Sequence, residues 1–373
     1  MTLVADANSF VVITSGAARG LLRYFWRRAF VQLFPTLLIG AVLLIGGCGE
    51  PAREALKLSG SAQGTRYNIT VVTGDRPLDA TQLQQQIEAR LAAIDKALSN
   101  YRDDSDIEAL NRAPTGEWIE VSPDLYNVLL LSMEVSWLSN GAFDVTVAPL
   151  VRLWGFGSAE PRASPPTDAE IAAARETIGF QYLELDLTAA RVRKGRPVQI
   201  DLAGVAQGYS VDVLAQLLDA AGVEHYLVEL GGELRTKGLS PRGTPWRIAI
   251  EKPTGEPGSV QQALLVSGAA VSTSGDYRDY FERDGVRYSH TLDASTGRPI
   301  AHRLASVTVV HPECGYADAI STAIMVLGPE RGLQLAEQLG LAVYLIIRGE
   351  EGFETRYSAA FEPYLDQALH SQR

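Results

Sequence analysis

Apolar and polar positions recur along this chain with two periods. Leu83, Ile87, Leu91, Ile94 and Leu98 step by three or four residues, which predicts a helix with one buried face over 83–98. The polar stretch 99–105 then reads as a loop, with Ser105 or Asp106 placed to cap the next helix. Ser122-Pro123-Asp124 predicts another start, Ser122 as cap and Pro123 in the first turn, and Asn140-Gly141 stops that helix near 139. Val211, Leu214, Leu217, Leu218 and Ala221 predict a further helix ending at Gly222.

Period-two runs predict strands at 67–72, 182–187, 246–250 and 263–266, and 225–234 reads as a buried strand closing on Gly231-Gly232. The first strand is entered through a Gly-bearing bend at 60–65. Residues 198–202 read as a strand that turns through Gly204 and Gly208 into the 211–221 helix. Residues 270–277 read as a strand running into a hydroxyl-rich turn. Strands in succession with helices elsewhere, rather than strict βαβ alternation, indicate an α+β fold of mixed sheets and packed helices, without an internal repeat.

The first fifty residues have a different pattern. Arg23, Arg27 and Arg28 precede an apolar run over 29–44 that ends in Ile45-Gly46-Gly47-Cys48. A basic region, an apolar region and a small-residue cleavage site mark 1–47 as a secretory signal, and the Cys after small residues resembles a bacterial lipobox. The expected organisation is a signal over 1–47, a tether over 48–57 beginning at a lipidated Cys48, and one domain over 58–365. The alternative is an uncleaved anchor, for which the run is near the lower limit of about 17 residues and is broken by Pro35. On this reading the protein is exported and faces the periplasm or cell exterior. Cys314 is then the one other cysteine, read as a small packed residue because no CxxC or Cys/His cluster accompanies it.

Composition adds an exclusion. A formal charge of -11 with no Lys/Arg-rich block argues against nucleic acid as a partner. Neither GxGxxG nor GxxxxGK[ST] occurs, so dinucleotide-fold and P-loop readings lack support. Gly204 and Gly208 at a helix start would let backbone N–H groups approach an anion, although glycine there also serves packing.

The chemistry concentrates between Ser289 and Thr322. His290 precedes the turn Asp293-Ala294-Ser295-Thr296-Gly297, and Asp318 is followed at helical spacing by Ser321 and Thr322. A base beside oxygen ligands suits phosphoryl transfer, since Mg²⁺ prefers oxygen and Asp318 and Thr322 would share a helix face. Asp318 could instead cap a helix, and Asp293 could close an Asx-turn.

Gly64-Thr65-Arg66-Tyr67, Ser99-Asn100-Tyr101, Gly141-Ala142-Phe143-Asp144-Val145-Thr146, the run Asp201-Leu202-Ala203-Gly204-Val205-Ala206-Gln207-Gly208-Tyr209, Gly231-Gly232, Ser272-Thr273-Ser274-Gly275, the His290 turn and Ala317-Asp318-Ala319-Ile320-Ser321-Thr322 occur in this order. Taken together they resemble the FAD:protein FMN transferases of the ApbE family. The resemblance implies two lobes with a flavin site in the cleft between them. It implies Mg²⁺-dependent transfer of FMN from FAD, the substrate, to a Thr or Ser hydroxyl of an acceptor flavoprotein in a membrane-associated redox system, with AMP leaving. It assigns His290 as base, and Gln63, Tyr101, Ala142, Phe143, Asp144, Asp201, Gln207 and Leu292 to the flavin. It assigns Asp318, Ser321, Thr322 and a main-chain carbonyl at Ala203 or Gly204 to the metal. Gln63 stands where the family usually has Met, Gln207 where it often has Lys or Glu, and Ser321 where some members are acidic. Phe143 reads equally as a core aromatic, and Asp144 as a residue that ends an element. The competing readings are an FAD pyrophosphatase, with water as nucleophile, and a non-enzymatic flavin-binding lipoprotein.

Overall fold

Eight strands pair in the order in which the chain makes them. In the computed structural model, which describes residues 53–366 apart from 75–77, 158–161, 163, 255–257, 278–279 and 284, the strands Ala55–Ala62, Thr65–Val72, Tyr226–Leu230, Glu233–Lys237, Ala270–Gly275, Leu304–His311, Ala342–Arg348 and Phe353–Tyr357 form one antiparallel sheet. The expected signal over 1–47, the expected lipid attachment at Cys48 and the first tether residues, 49–52, lie outside the described residues. The first strand starts at Ala55 and pairs it with Val72, so 55–57, expected as tether, belong to the sheet.

The middle strands are covered on both faces. Tyr226–Leu230 is buried along its length, as is all but the last residue of Ala342–Arg348, whereas Phe353–Tyr357 at one edge is largely exposed. One face receives the helices Ala80–Leu98, Ala206–Ala220 and Cys314–Leu339 through Ile69, Val228, Val307 and Val343. The opposite face receives the hairpin Trp246–Glu251/Val260–Val266 and Phe361 through Leu234, Val271 and Tyr344. A smaller sheet, Trp118–Glu120, Arg191–Lys194 and Leu183–Asp186, joins the helix Pro123–Leu138. Its Val192 and Leu183 share one apolar cluster with Val307 and Val343 of the large sheet. The architecture is α+β, with both parts built on a continuous core. Among the described residues no helix is long and apolar enough to cross a membrane.

Local signals account for the helix ends. Ser105 accepts from Glu108 N and Ser122 from Leu125 N, satisfying donors that a helix start leaves open. Asn140 and Gly141 take positive φ after Leu138. Four expectations change. The bend at 60–65 narrows to Gln63-Gly64, both at positive φ, which is the two-residue turn that fits strand twist; Gly60 to Ala62 are already strand. The strand from 225 does end at the Gly231-Gly232 turn, but Glu233 and Leu234, read together with it, open the next strand of a hairpin. Ser272, Thr273 and Ser274 lie within a paired strand rather than a turn.

The fourth change concerns 198–202, which is extended but makes only an isolated bridge, Gln199 to Val147. Two asparagines stand in for the missing neighbour strand. Asn111 accepts from Ile200 N at 2.7 Å and donates to Ile200 O at 3.1 Å. Asn100 donates to the same carbonyl at 2.9 Å and accepts from Leu202 N at 3.2 Å. Each amide presents one donor and one acceptor, as a strand would. Replacing Asn111 with Ala leaves the Ile200 N–H unpaired, and chemical denaturation is expected to show a loss of about 1–3 kcal/mol.

Candidate active site

The helices Ala206–Ala220 and Cys314–Leu339 are joined by two carboxylates that point in opposite directions. Asp212 of the first accepts from Gly315 N at 2.9 Å, at the start of the second, and Arg235 holds its other oxygen at 2.5 Å. Asp318 of the second accepts from Gly208 N at 3.0 Å, at the start of the first. Both bonds use N–H groups that a helix leaves open in its first turn. Asp318 lies inside its helix, which begins at Cys314, so it is not that helix's cap. The Gly208 N–H, expected to face an anion, is taken by this carboxylate. The approach requires glycine, because a Cβ on Gly208 would stand 2.5 Å from Cys314 O and 2.7 Å from Asp318 Cβ.

Only one oxygen of Asp318 is used in this way; Oδ1 has no donor among the described residues. Burial raises the Asp318 carboxyl above its ordinary range, against the Gly208 bond. Glu233 is raised as well, by burial first and then by the charge of Asp318, so the two carboxyls are electrostatic neighbours.

Three hydroxyls line the same interface. Ser321 Oγ donates to Asp318 O at 2.9 Å. Having spent its proton, it accepts from Ser274 Oγ at 2.7 Å. Ser274 in turn accepts from Thr322 Oγ1 at 3.2 Å. Thr322 Oγ1 also faces Gly204, where a Cβ would lie 3.3 Å from it and 3.3 Å from the Phe143 ring. Gly204, Phe143, Asp318, Ser321 and Thr322 are thus brought together. The donor set is hard oxygen throughout, with an Asp318 oxygen free, and such a set fits Mg²⁺. Among the described residues no cluster of three or more His, Cys, Asp or Glu occurs, so hydroxyl, carbonyl and water oxygens would complete the shell.

The residues assigned to the flavin surround this centre in part. Asn100 ties the exposed Tyr101 to the 200–202 segment. Asp201 accepts from Ala203 N at 2.8 Å, and burial of its carboxyl group raises it even though the residue as a whole is half-buried. The Gln207 amide lies over Gly231, where a Cβ would stand 2.7 Å from Oε1. Gln63 donates to Ser210 Oγ at 2.7 Å. Ser210 gives its own proton to Ala206 O, which fixes the Gln63 amide with Oε1 buried and unpartnered.

Other assigned residues have structural partners. Asp144 accepts from Thr146 N and Oγ1 and from Phe180 N, and burial raises it despite these bonds. Ala142 and Phe143 pack on the main core. Leu292 joins an apolar cluster with Leu150, Trp154 and Ile171. Asp293 closes an Asx-turn on Ser295 N at 2.8 Å. His290 is half-buried on the bend between Val286–Ser289 and Leu292–Asp293. Cys314 is buried, and its thiol is pushed far up by burial, as a packed rather than a reactive residue requires. Sequence reasoning missed Ser274, Asn111 and Glu233. Ser274 sits in the Ser272-Thr273-Ser274-Gly275 motif, whose hydroxyls predict a turn, and Glu233 directly follows Gly231-Gly232.

The fold and site define an antiparallel α+β protein with a buried, oxygen-lined centre where two helices pack. A sequence model described as the ApbE family matches residues 63–345. The FAD:protein FMN transferase of Vibrio cholerae serotype O1 (strain ATCC 39541 / Classical Ogawa 395 / O395) is 42% identical over 333 residues, covering 88% of this chain and 98% of the relative. The solved flavin transferase ApbE from Vibrio cholerae matches with a TM-score of 0.78 at 41% identity, over 84% of this chain and 99% of that one. The apo form of Pseudomonas stutzeri flavinyl transferase ApbE matches with a TM-score of 0.78 at 42% identity, over 84% and 97%. This chain belongs to the ApbE family.

Proposed function

We propose that this chain is an FAD:protein FMN transferase that moves FMN from FAD to a Thr or Ser hydroxyl of an acceptor protein in an Mg²⁺-dependent reaction. The observation that carries the reading is the seating of Asp318 on Gly208 and of Thr322 on Gly204, with Ser321 linked to both through Asp318 O and Ser274, in a chain whose relatives bear that activity in their names. Asp318, Thr322, Ser321 and a carbonyl at Ala203 or Gly204 would hold the cation. Bound there, Mg²⁺ would neutralise charge on the FAD pyrophosphate.

The chain's own groups do the rest. His290 takes the proton of the acceptor hydroxyl. That oxygen bonds to the phosphorus of the FMN half, the bond to the AMP phosphate breaks, and AMP leaves with the electron pair. Tyr101 can stack on the flavin ring, with Gln63, Ala142, Phe143, Asp144, Asp201, Gln207 and Leu292 around it. The N-terminal pattern supports export, with lipid on Cys48 holding the domain at a membrane near an acceptor flavoprotein of a redox system.

Incubating purified protein with FAD, Mg²⁺ and a candidate acceptor tests this. Intact-mass analysis should show one FMN phosphoester on the acceptor for each AMP released, and chelation of Mg²⁺ should stop both. Free FMN with an unlabelled acceptor would mean a pyrophosphatase, and FAD binding without products would mean a flavin-binding protein.

A further inference from the structure

Glu233 stands beside Asp318 with an oxygen that no group among the described residues satisfies. It opens the strand Glu233–Lys237 directly after Gly231-Gly232. The residue is 8% exposed, and Oε2 has no hydrogen-bond partner among the described residues. The register Val271↔Leu234 and Ala270↔Arg235, extended one step, brings Ser272 opposite it. Ser272 is fully buried, and its Oγ also lacks a partner. Side chains at alternate strand positions share a face. Ser274, two residues on, bonds Ser321 and Thr322, so Ser272 looks onto the helix that carries Asp318. Cys314, one turn before Asp318, reaches Leu234 O through Sγ at 3.6 Å, which seats that helix over the strand of Glu233.

A buried carboxylate oxygen and a buried hydroxyl left without partners are costly to the fold, and such groups call for a ligand. Among the described residues no cation fills the need: Arg235, on the same strand, is engaged by Asp212. Two acidic side chains set side by side, with one open oxygen on each and an open hydroxyl next to them, make a hard-oxygen site whose two carboxyls a bound cation would ionise. Resting on the metal reading above, we infer that Glu233 is a second carboxylate of the divalent-cation site. It holds the cation jointly with Asp318, while Ser272 hydrogen-bonds water of the cation's shell.

The test is Mn²⁺ binding to the full chain without FAD, followed by electron paramagnetic resonance, with thermal melts of the metal-free proteins alongside. E233Q and D318N should each weaken Mn²⁺ binding about tenfold or more, and E233D should recover part of the loss. The metal-free E233Q protein should melt no lower than wild type, because the amide removes a like-charge neighbour; a purely structural glutamate would lower the melt and leave Mn²⁺ affinity alone. If D318N loses Mn²⁺ while E233Q binds as wild type does, this inference is overturned and the metal reading stands. If wild type binds no Mn²⁺, both fall. Should E233Q melt below wild type, S272A decides: weaker Mn²⁺ binding supports the site, and unchanged binding overturns it.

Discussion

Asp318→Asn is expected to give a folded protein that binds FAD and transfers nothing. The amide oxygen can still accept from Gly208 N, the 3.0 Å bond that pins the two helices, so the frame survives. The amide nitrogen then occupies the place of Oδ1 and presents hydrogens where a cation needs an oxygen. Loss of one preorganised electrostatic group costs roughly 10²–10³ in turnover, and here the cation goes with it. Acceptor labelling should fall by about 10³-fold or more, while flavin fluorescence titration shows FAD affinity little changed in the absence of metal. Labelling within tenfold of wild type would remove Asp318 from the site. His290→Ala should leave Mn²⁺ binding intact and slow transfer by about 10²–10⁴-fold, the scale of a missing general base. That split separates the base from the ligand.

Gly208→Ala should be severely damaging for a single added methyl. The added Cβ meets a backbone carbonyl at 2.5 Å and Asp318 Cβ at 2.7 Å, and neither is a flexible chain end. The helices must part, at about 1–3 kcal/mol for forced volume in a packed interior. The charge-assisted bond to Asp318 is lost as well, worth about 1.5–3 kcal/mol. Equilibrium denaturation should therefore show a destabilisation of about 3 kcal/mol or more, with cation binding lost at temperatures where the protein is still folded. Gly204→Ala is the control. Its Cβ would meet only the Phe143 ring and the Thr322 side chain, each at 3.3 Å, which can shift by tenths of an ångström. It should cost under about 1 kcal/mol yet slow transfer, because it crowds the oxygen side of Thr322. If Gly208→Ala proves as mild as Gly204→Ala, the close packing of the two helices does not matter to the site.

Much of this was legible from residues close together in the chain. The helix over 83–98, the caps at Ser105 and Ser122 and the stop at Asn140-Gly141 follow from spacing and side-chain chemistry within a turn or two, and the structure shows each. The errors share a cause. Residues 198–202 look like a strand because they are apolar and extended, yet their hydrogen bonds go to two asparagine amides about 100 positions earlier. The hydroxyls of 272–274 look like a turn because Ser and Thr favour turns, yet the strand pairing of Ala270–Gly275 keeps them in register and aims Ser274 at Ser321.

By itself, then, the sequence determined the elements, the α+β class, the ordered motifs and the residue types able to do phosphoryl chemistry, because period, capping and turn preferences act over a few residues. Only the tertiary structure decided which of those groups meet. Asp318 and Gly208 are 110 positions apart, and Glu233 becomes its neighbour through strand register and helix packing. Contacts of that range arise from burying apolar faces against one another, and the polar groups they carry into the interior meet there without any local signal to announce it.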